Sequence, residues 1–367
     1  MVLDGLRGLA AIAVVFYHYR YFFFPPGTIA EVDVAGILPL RELFKPVYAW
    51  GHFGVELFWM ISGFVFAAVY YGREVTSRAF FINRLARLYP LHIVTLLLMV
   101  VVQYAAIREF GATLLVRNYD LKHFVLQLGL ASDWVMGTGP SFNAPIWSVS
   151  VETGIYGLFW ASRRWVPLRG LVGPMLLAAV LGAMPRDGST LFFQCGFHFF
   201  VGAALCVIWR SFASMPGLLV AMGLGAVAIG AAGLTVLVGH VTRLTPLVML
   251  PLVLGGIIML HVASEDFAPG WLRRALGWLG DRSYSIYLVH FPLLMILTLI
   301  LGSQTAVVAQ QAWFLALYLT LVLAVAWPCY SLFEAPARDW LRSYARTRRV
   351  PQAKQAELPI LMRQERG

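Results

Sequence analysis

Charge is scarce in this sequence. Asp, Glu, Lys and Arg together make up 13% of its 367 residues, about half the share of roughly 25% found in soluble domains. Cysteine is almost absent. The three present, Cys195, Cys206 and Cys329, all fall inside apolar runs, so a disulfide framework is not expected and no metal-type Cys spacing exists. His52, His92, His123, His198, His240 and His261 include no HxxxH-like pair, so no metal is expected. There is no repeat of solenoid length and no low-complexity segment. What fills the chain instead is apolar: 60% of residues are hydrophobic and the mean hydropathy is +0.74. A soluble fold this apolar could not cover its own surface, and a disordered chain would be far more polar.

Apolar runs long enough to cross a bilayer recur along the sequence, which predicts an all-α polytopic membrane bundle. Ten spans are expected, at about 3–24, 52–71, 88–106, 147–162, 168–184, 191–209, 216–238, 244–263, 284–301 and 312–333. The fourth and fifth are short. A stretch at 124–131 is too short to cross and reads as re-entrant or interfacial. The first run has an Arg near its start but no small-x-small cleavage site ahead of a soluble domain, so it reads as a retained helix. The net charge of +10 reads as cytoplasmic loop charge, with no nucleic-acid partner. With the N-terminus cytoplasmic, twenty of the 28 Lys and Arg residues fall on inner segments and eight on outer ones. That asymmetry predicts both termini inside and an even number of spans. The expected organisation is a membrane-embedded domain over 1–337 and a basic cytoplasmic tail over 338–367, solvated or lying on the membrane surface.

Ionisable side chains within spans are costly and are functional candidates by default. Arg7 and His18 lie eleven residues apart on the first span. At 100° per residue they share one face, roughly 16 Å apart along the axis. Glu56, in GVELFWMISGF, and Glu152, in WSVSVETGIY, enter from the outer side and come out at about the depth of His18. A carboxylate there would fix the tautomer of the imidazole and raise its basicity. Arg84 and Arg87, at i and i+3 before the third span, share a face and suit phosphate binding. Each of these residues also fits a plainer role. Arg7, Arg84 and Arg87 serve equally as topology signals, His18 as a packing residue, and Glu56 as an interfacial group reaching headgroup water. Trp134 and Trp147 anchor at an interface or stack on a sugar. His290 and Glu334 read as packing or capping residues.

These segments form a familiar series. LDGLRGLAAIAVVFYH resembles the opening of the acyltransferase family 3 membrane proteins, with its Arg-x10-His motif at Arg7 and His18. GVELFWMISGFV, NRLARLYP, WSVSVETGIY, SYSIYLVHFP and YSLFEAPAR are similar to later motifs of that family, in its order, between about residues 3 and 338. Trp59-Met60-Ile61 stands where the family usually has Phe-x-Leu, but Ser62 and Gly63 follow in place. The resemblance implies ten helices, a cytoplasmic N-terminus and acyl transfer to an extracytoplasmic carbohydrate or related hydroxyl. It also implies a stand-alone form, without the fused extracytoplasmic domain that some members carry. Many members have a longer lead before this opening.

The combined expectation is a multi-pass protein of the inner (plasma) membrane that moves an acyl group from acetyl-CoA or another acyl-CoA to a saccharide or glycoconjugate. Arg84, Arg87 and Arg7 would hold the donor. His18 would be general base or acyl carrier, and Glu152 would orient or charge it. Trp134, Trp147 and Glu56 would face the acceptor. The rival expectation is a transporter of a lipid-linked or polar metabolite, which would use buried Arg, His and Glu as well. Against it, no inverted repeat or pair of broken helices is visible. Oligomeric state is not legible.

Overall fold

The computed structural model describes residues 3–27, 33–71, 75–134, 139–166, 170–184, 191–237, 244–264 and 267–347. Arg73, Arg169, Arg186, Arg243, His240 and the tail from 348 onward, all used in the sequence reading, lie outside the described residues. Within them the fold is an all-α membrane bundle. Among the described residues the sole β pairing is an isolated bridge between Asn118 and Ser141.

The helix α1 (Asp4–His18) sits at the centre. It is buried along most of its length, from Gly5 and Leu6 to Val15 and Phe16, with Leu9 exposed, as expected of a helix packed on several neighbours. Its neighbours are α3 (Gly54–Tyr70), α11 (Gly270–Asp281) and α12 (Ser283–Leu301). The α-helix stops at His18, and a tighter 3₁₀ turn carries the chain from Tyr19 to Phe23. The expected span of 3–24 therefore has His18 at a change of helix type, not in its interior. A short helix, α2 (Arg41–Trp50), leads through a 3₁₀ turn at Gly51–Phe53 into α3.

The third span differs most from expectation. It was expected over 88–106, with Arg84 and Arg87 ahead of it. Instead α4 runs unbroken from Ser77 to Phe110, with Pro90 inside. Thr76 caps it by accepting from the Ala79 N–H, and Gly111 closes it at φ +72°. A helix of that length is about 51 Å long, well beyond a hydrocarbon core of about 30 Å. The two arginines are thus held on a rigid helix. The stretch expected to be re-entrant becomes α5 (Leu121–Leu128), capped by Asp120. It is followed by α6 (Ile146–Ser162) and the short α7 (Val172–Gly182).

The helix α8 (Leu191–Phe212) packs closely on α3. A Cβ on Gly63 would meet the Phe199 carbonyl oxygen, and one on Gly202 the Met60 carbonyl oxygen. Only glycine allows two helices to approach this closely. Outside this pair, α9 (Pro216–Leu237) and α10 (Leu244–Ser264) form a hairpin. The chain closes with α13 (Thr305–Ala309), α14 (Ala312–Pro328), a π-helical turn over Cys329–Glu334, and α15 (Ala335–Thr347), which returns to pack on α4. Among the described residues, six helical segments are long and apolar enough to cross a membrane: Arg41–Tyr70, Ser77–Phe110, Leu191–Phe212, Pro216–Leu234, Ser283–Ala309 and Ala312–Ser343. The expected spans at 168–184 and 244–263 are represented among the described residues by shorter apolar helices, Val172–Gly182 and Val248–Ser264.

Candidate active site

A partly open cleft, about 490 Å³ with the open solvent at its mouth included, lies within the bundle. Four helices build its polar wall. Arg7 comes from α1, Arg87 from α4, Glu152 and Tyr156 from α6, and Ser283, Tyr284 and Tyr287 from α12. Ser62, Trp59 and Phe58 of α3 complete it. Two of the three expected donor-binding arginines thus share one cavity. Arg84, one turn before Arg87, is held apart. Its guanidinium carbon lies 4.9 Å from the centre of the Phe66 ring and 5.8 Å from that of Tyr70, a cation–π setting.

Carboxylates offset the cationic wall. Tyr156 donates to Glu152 Oε1 at 2.7 Å, and Glu152 lies within electrostatic reach of Arg7. Glu334, read from sequence as a packing or capping residue, is buried and accepts a 2.6 Å bond from Ser285 Oγ. It lies in the field of Arg87, Arg338 and Arg7. Burying a carboxylate is costly, and nearby cations reduce that cost.

Glu152 does not partner His18, contrary to the depth argument made from sequence. The reason lies in α6. Pro145 and Ser148, at its start, contact Tyr287. The Tyr287 hydroxyl donates to the Pro145 carbonyl at 2.9 Å and lies 2.7 Å from Ser148 Oγ. Glu152 follows one turn later, about 6 Å deeper, and so reaches the level of Arg7.

The partner of His18 is His290. Its Nε2 lies 2.7 Å from His18 Nδ1, with the ring planes within 13° of each other. Sequence reasoning left His290 as packing. The available signal was an imidazole in mid-span, but nothing in the sequence links two residues separated by 272 positions. His290 Nδ1 is 2.6 Å from the Tyr287 carbonyl oxygen, and Tyr318 donates to the carbonyl of His290 at 3.0 Å. Tyr287 therefore joins the two parts of the site, its ring lining the cleft and its carbonyl holding His290.

The other expected residues are dispersed. Glu56 is 9% exposed and its Oε2 has no hydrogen-bond partner, so it is buried rather than interfacial, and it does not line the cleft. Trp147 is half-buried against Trp59 at 5.8 Å in an edge-on arrangement. Trp134 is half-exposed, and its indole N–H donates to the Ser150 carbonyl at 2.7 Å, which pins the preceding loop to α6. Among the described residues, no group of three or more His, Cys, Asp or Glu side chains is arranged to hold a metal ion.

The chain matches the family model described as an acyltransferase domain over residues 2–331. It is similar to the peptidoglycan O-acetyltransferase OatA of Listeria monocytogenes, with 23% identity over 92% of this chain and 55% of the relative. It is similar to the putative peptidoglycan O-acetyltransferase YrhL of Bacillus subtilis, with 23% identity over 94% and 56%. It is also similar to the acyltransferase MdmB of Streptomyces mycarofaciens, with 26% identity over 79% and 77%. The chain thus spans about half the length of the two O-acetyltransferases. No solved structure matches it. On the family match, which takes in the motifs around the cleft but only the first two residues of YSLFEAPAR, the protein belongs to acyltransferase family 3.

Proposed function

We propose that the protein is a multi-pass membrane O-acyltransferase of the inner (plasma) membrane, moving an acyl group from a cytoplasmic acyl-CoA to a hydroxyl of a saccharide or glycoconjugate on the other side. The family supports acyl transfer, and two relatives named for peptidoglycan O-acetylation support a saccharide acceptor and an acetyl group. The single observation that carries the reading is the layout of α1. It presents Arg7 to a cleft shared with Arg87 and ends at His18, beside a second imidazole. The two positions are about 16 Å apart, comparable to the reach of a phosphopantetheine arm.

In this reading Arg87 and Arg7 bind the phosphates of the donor, and Arg84 adds positive potential from the same helix. Lys and Arg asymmetry supports ten spans, cytoplasmic termini and a donor entering on the arginine side, with the basic 338–367 segment on that side too. Glu152, with Tyr156, balances the arginines at the phosphate end of the donor. His18 is the general base. Its ring takes the proton of the acceptor hydroxyl as that oxygen attacks the acyl carbonyl, and returns a proton to the departing thiolate. Trp147, Trp134 and Glu56 serve the acceptor side. The family match leaves the transporter alternative without independent support.

The test is release of free CoA from acetyl-CoA by the purified protein in lipid, with and without a glycan acceptor. Acceptor-dependent release is expected, and His18→Ala should lower it by about 10²–10⁴-fold. A folded His18→Ala protein with near-normal release would show that His18 is not the base.

A further inference from the structure

His290 has no role in the reading above, yet it is fully buried in α12 and makes the closest polar contact to the proposed base. Its hydrogen bonds fix a proton order. A backbone carbonyl can only accept, so the 2.6 Å contact to the Tyr287 oxygen requires a hydrogen on His290 Nδ1. In the neutral ring Nε2 is then bare and can only accept. His18 Nδ1, 2.7 Å away, must therefore be the donor. That leaves His18 Nε2 without a hydrogen. The rings are nearly coplanar, with centroids 5.0 Å apart, so they meet edge to edge along the nitrogen–nitrogen line.

We propose that His290 is a positioning residue that holds His18 as the Nδ1–H tautomer and so selects Nε2 as the atom that takes the proton from the acceptor. This rests on the reading of His18 as general base. When the acceptor O–H bond breaks, an N–H bond forms at His18 Nε2, and the oxygen electron pair forms the new bond to the acyl carbon. The carbon–sulfur bond breaks, and the thiolate takes the proton back from Nε2. Throughout, His18 Nδ1–H stays bonded to His290, whose lone pair stabilises the imidazolium form. A carboxylate would do this more strongly but would leave a permanent charge to be desolvated. A second imidazole supplies the acceptor without that cost.

The surrounding structure holds this partner rigidly. Pro292 in α12 has no N–H, so the Leu288 carbonyl lacks its helical donor. Asn143 Nδ2 supplies one from the loop before α6, at 3.3 Å. Tyr318 binds the His290 carbonyl from α14. The Tyr21 ring packs against the His18 ring, with centroids 5.2 Å apart and planes within 25°.

The test combines turnover with a direct reading of the tautomer. Parent, His18→Ala, His290→Gln, His290→Asn and His290→Ala proteins, labelled with ¹⁵N-histidine, are compared in lipid bilayers. The His18 signals are assigned by their loss in His18→Ala. The expected parent spectrum has a protonated Nδ1 and a bare Nε2 for His18. Gln places an acceptor oxygen near the position of His290 Nε2, so His290→Gln should keep that spectrum and turn over within about tenfold of the parent. His290→Asn is too short and should lose about 10²-fold or more in kcat with the donor KM unchanged. His290→Ala should do the same and show mixed tautomers. A parent His18 protonated at Nε2 would overturn the proposal. So would normal kcat in His290→Ala while His18→Ala is inactive, or equal losses in Gln and Asn accompanied by a raised donor KM. Normal turnover in His18→Ala would instead overturn the general-base reading, and this proposal with it.

Discussion

Arg84 and Arg87 show how two residues of one motif take different tasks. Both lie on α4, but only Arg87 lines the cleft, while Arg84 is held over Phe66 and Tyr70. A charge-assisted contact to phosphate is worth about 1.5–3 kcal/mol, so Arg87→Ala should raise the donor KM at least about tenfold with little change in kcat. Arg84→Ala should do less to the donor KM, because its guanidinium faces aromatic rings rather than the cleft. Steady-state kinetics with varied acyl-CoA separate the two. A larger KM effect for Arg84→Ala would reverse the assignment. Of the residues at the cleft and the imidazole pair, Arg7, Arg87, His18 and Glu152 stood out as candidates because each is an ionisable group in or beside an apolar run. What could not be read was who meets whom. Spacing fixes the face of a residue on its own helix but not the rotation or depth of the neighbouring helix. Hence Glu152 was expected beside His18 and lines the cleft with Arg7, and His290 was read as a packing or capping residue.

The packing of α3 on α8 tests the account at the level of elements. Gly63 and Gly202 each face a backbone carbonyl of the other helix. A methyl group at Gly63 must push the helices apart, and overpacking of this kind costs about 1–3 kcal/mol. Gly63→Ala should therefore lower the unfolding temperature in detergent, with a matching loss of activity, since α3 also lines the cleft through Ser62 and Trp59. An unchanged unfolding temperature would mean the crossing is looser than described. Element boundaries were legible where an apolar run ended in polar residues, as at α6, expected at 147–162 and observed at Ile146–Ser162. They were not legible where a proline lies inside a helix. Pro90 resembles a start signal in sequence, but α4 continues through it, because neighbouring packing can absorb one lost backbone bond.

For the whole molecule, the central claim is that one helix joins two chemistries. The end of α1 at Arg7 meets the cleft for the donor, and the end at His18 meets the imidazole pair. The fold class was legible from composition together with run length: 13% charged and 60% hydrophobic residues point to lipid, and apolar runs of helix-spanning length point to helices rather than a closed barrel. The path through the bundle was not, because it depends on how α4, α6 and α12 close around α1. The account requires that the donor and the acceptor occupy opposite faces of the membrane. The most direct measurement uses sealed proteoliposomes with a glycan acceptor trapped inside and acyl-labelled CoA added only outside. Labelled acyl groups should appear on the enclosed acceptor while the freed CoA stays outside, and this transfer should be lost in His18→Ala. Acylation confined to acceptor added on the same side as the donor would contradict the account.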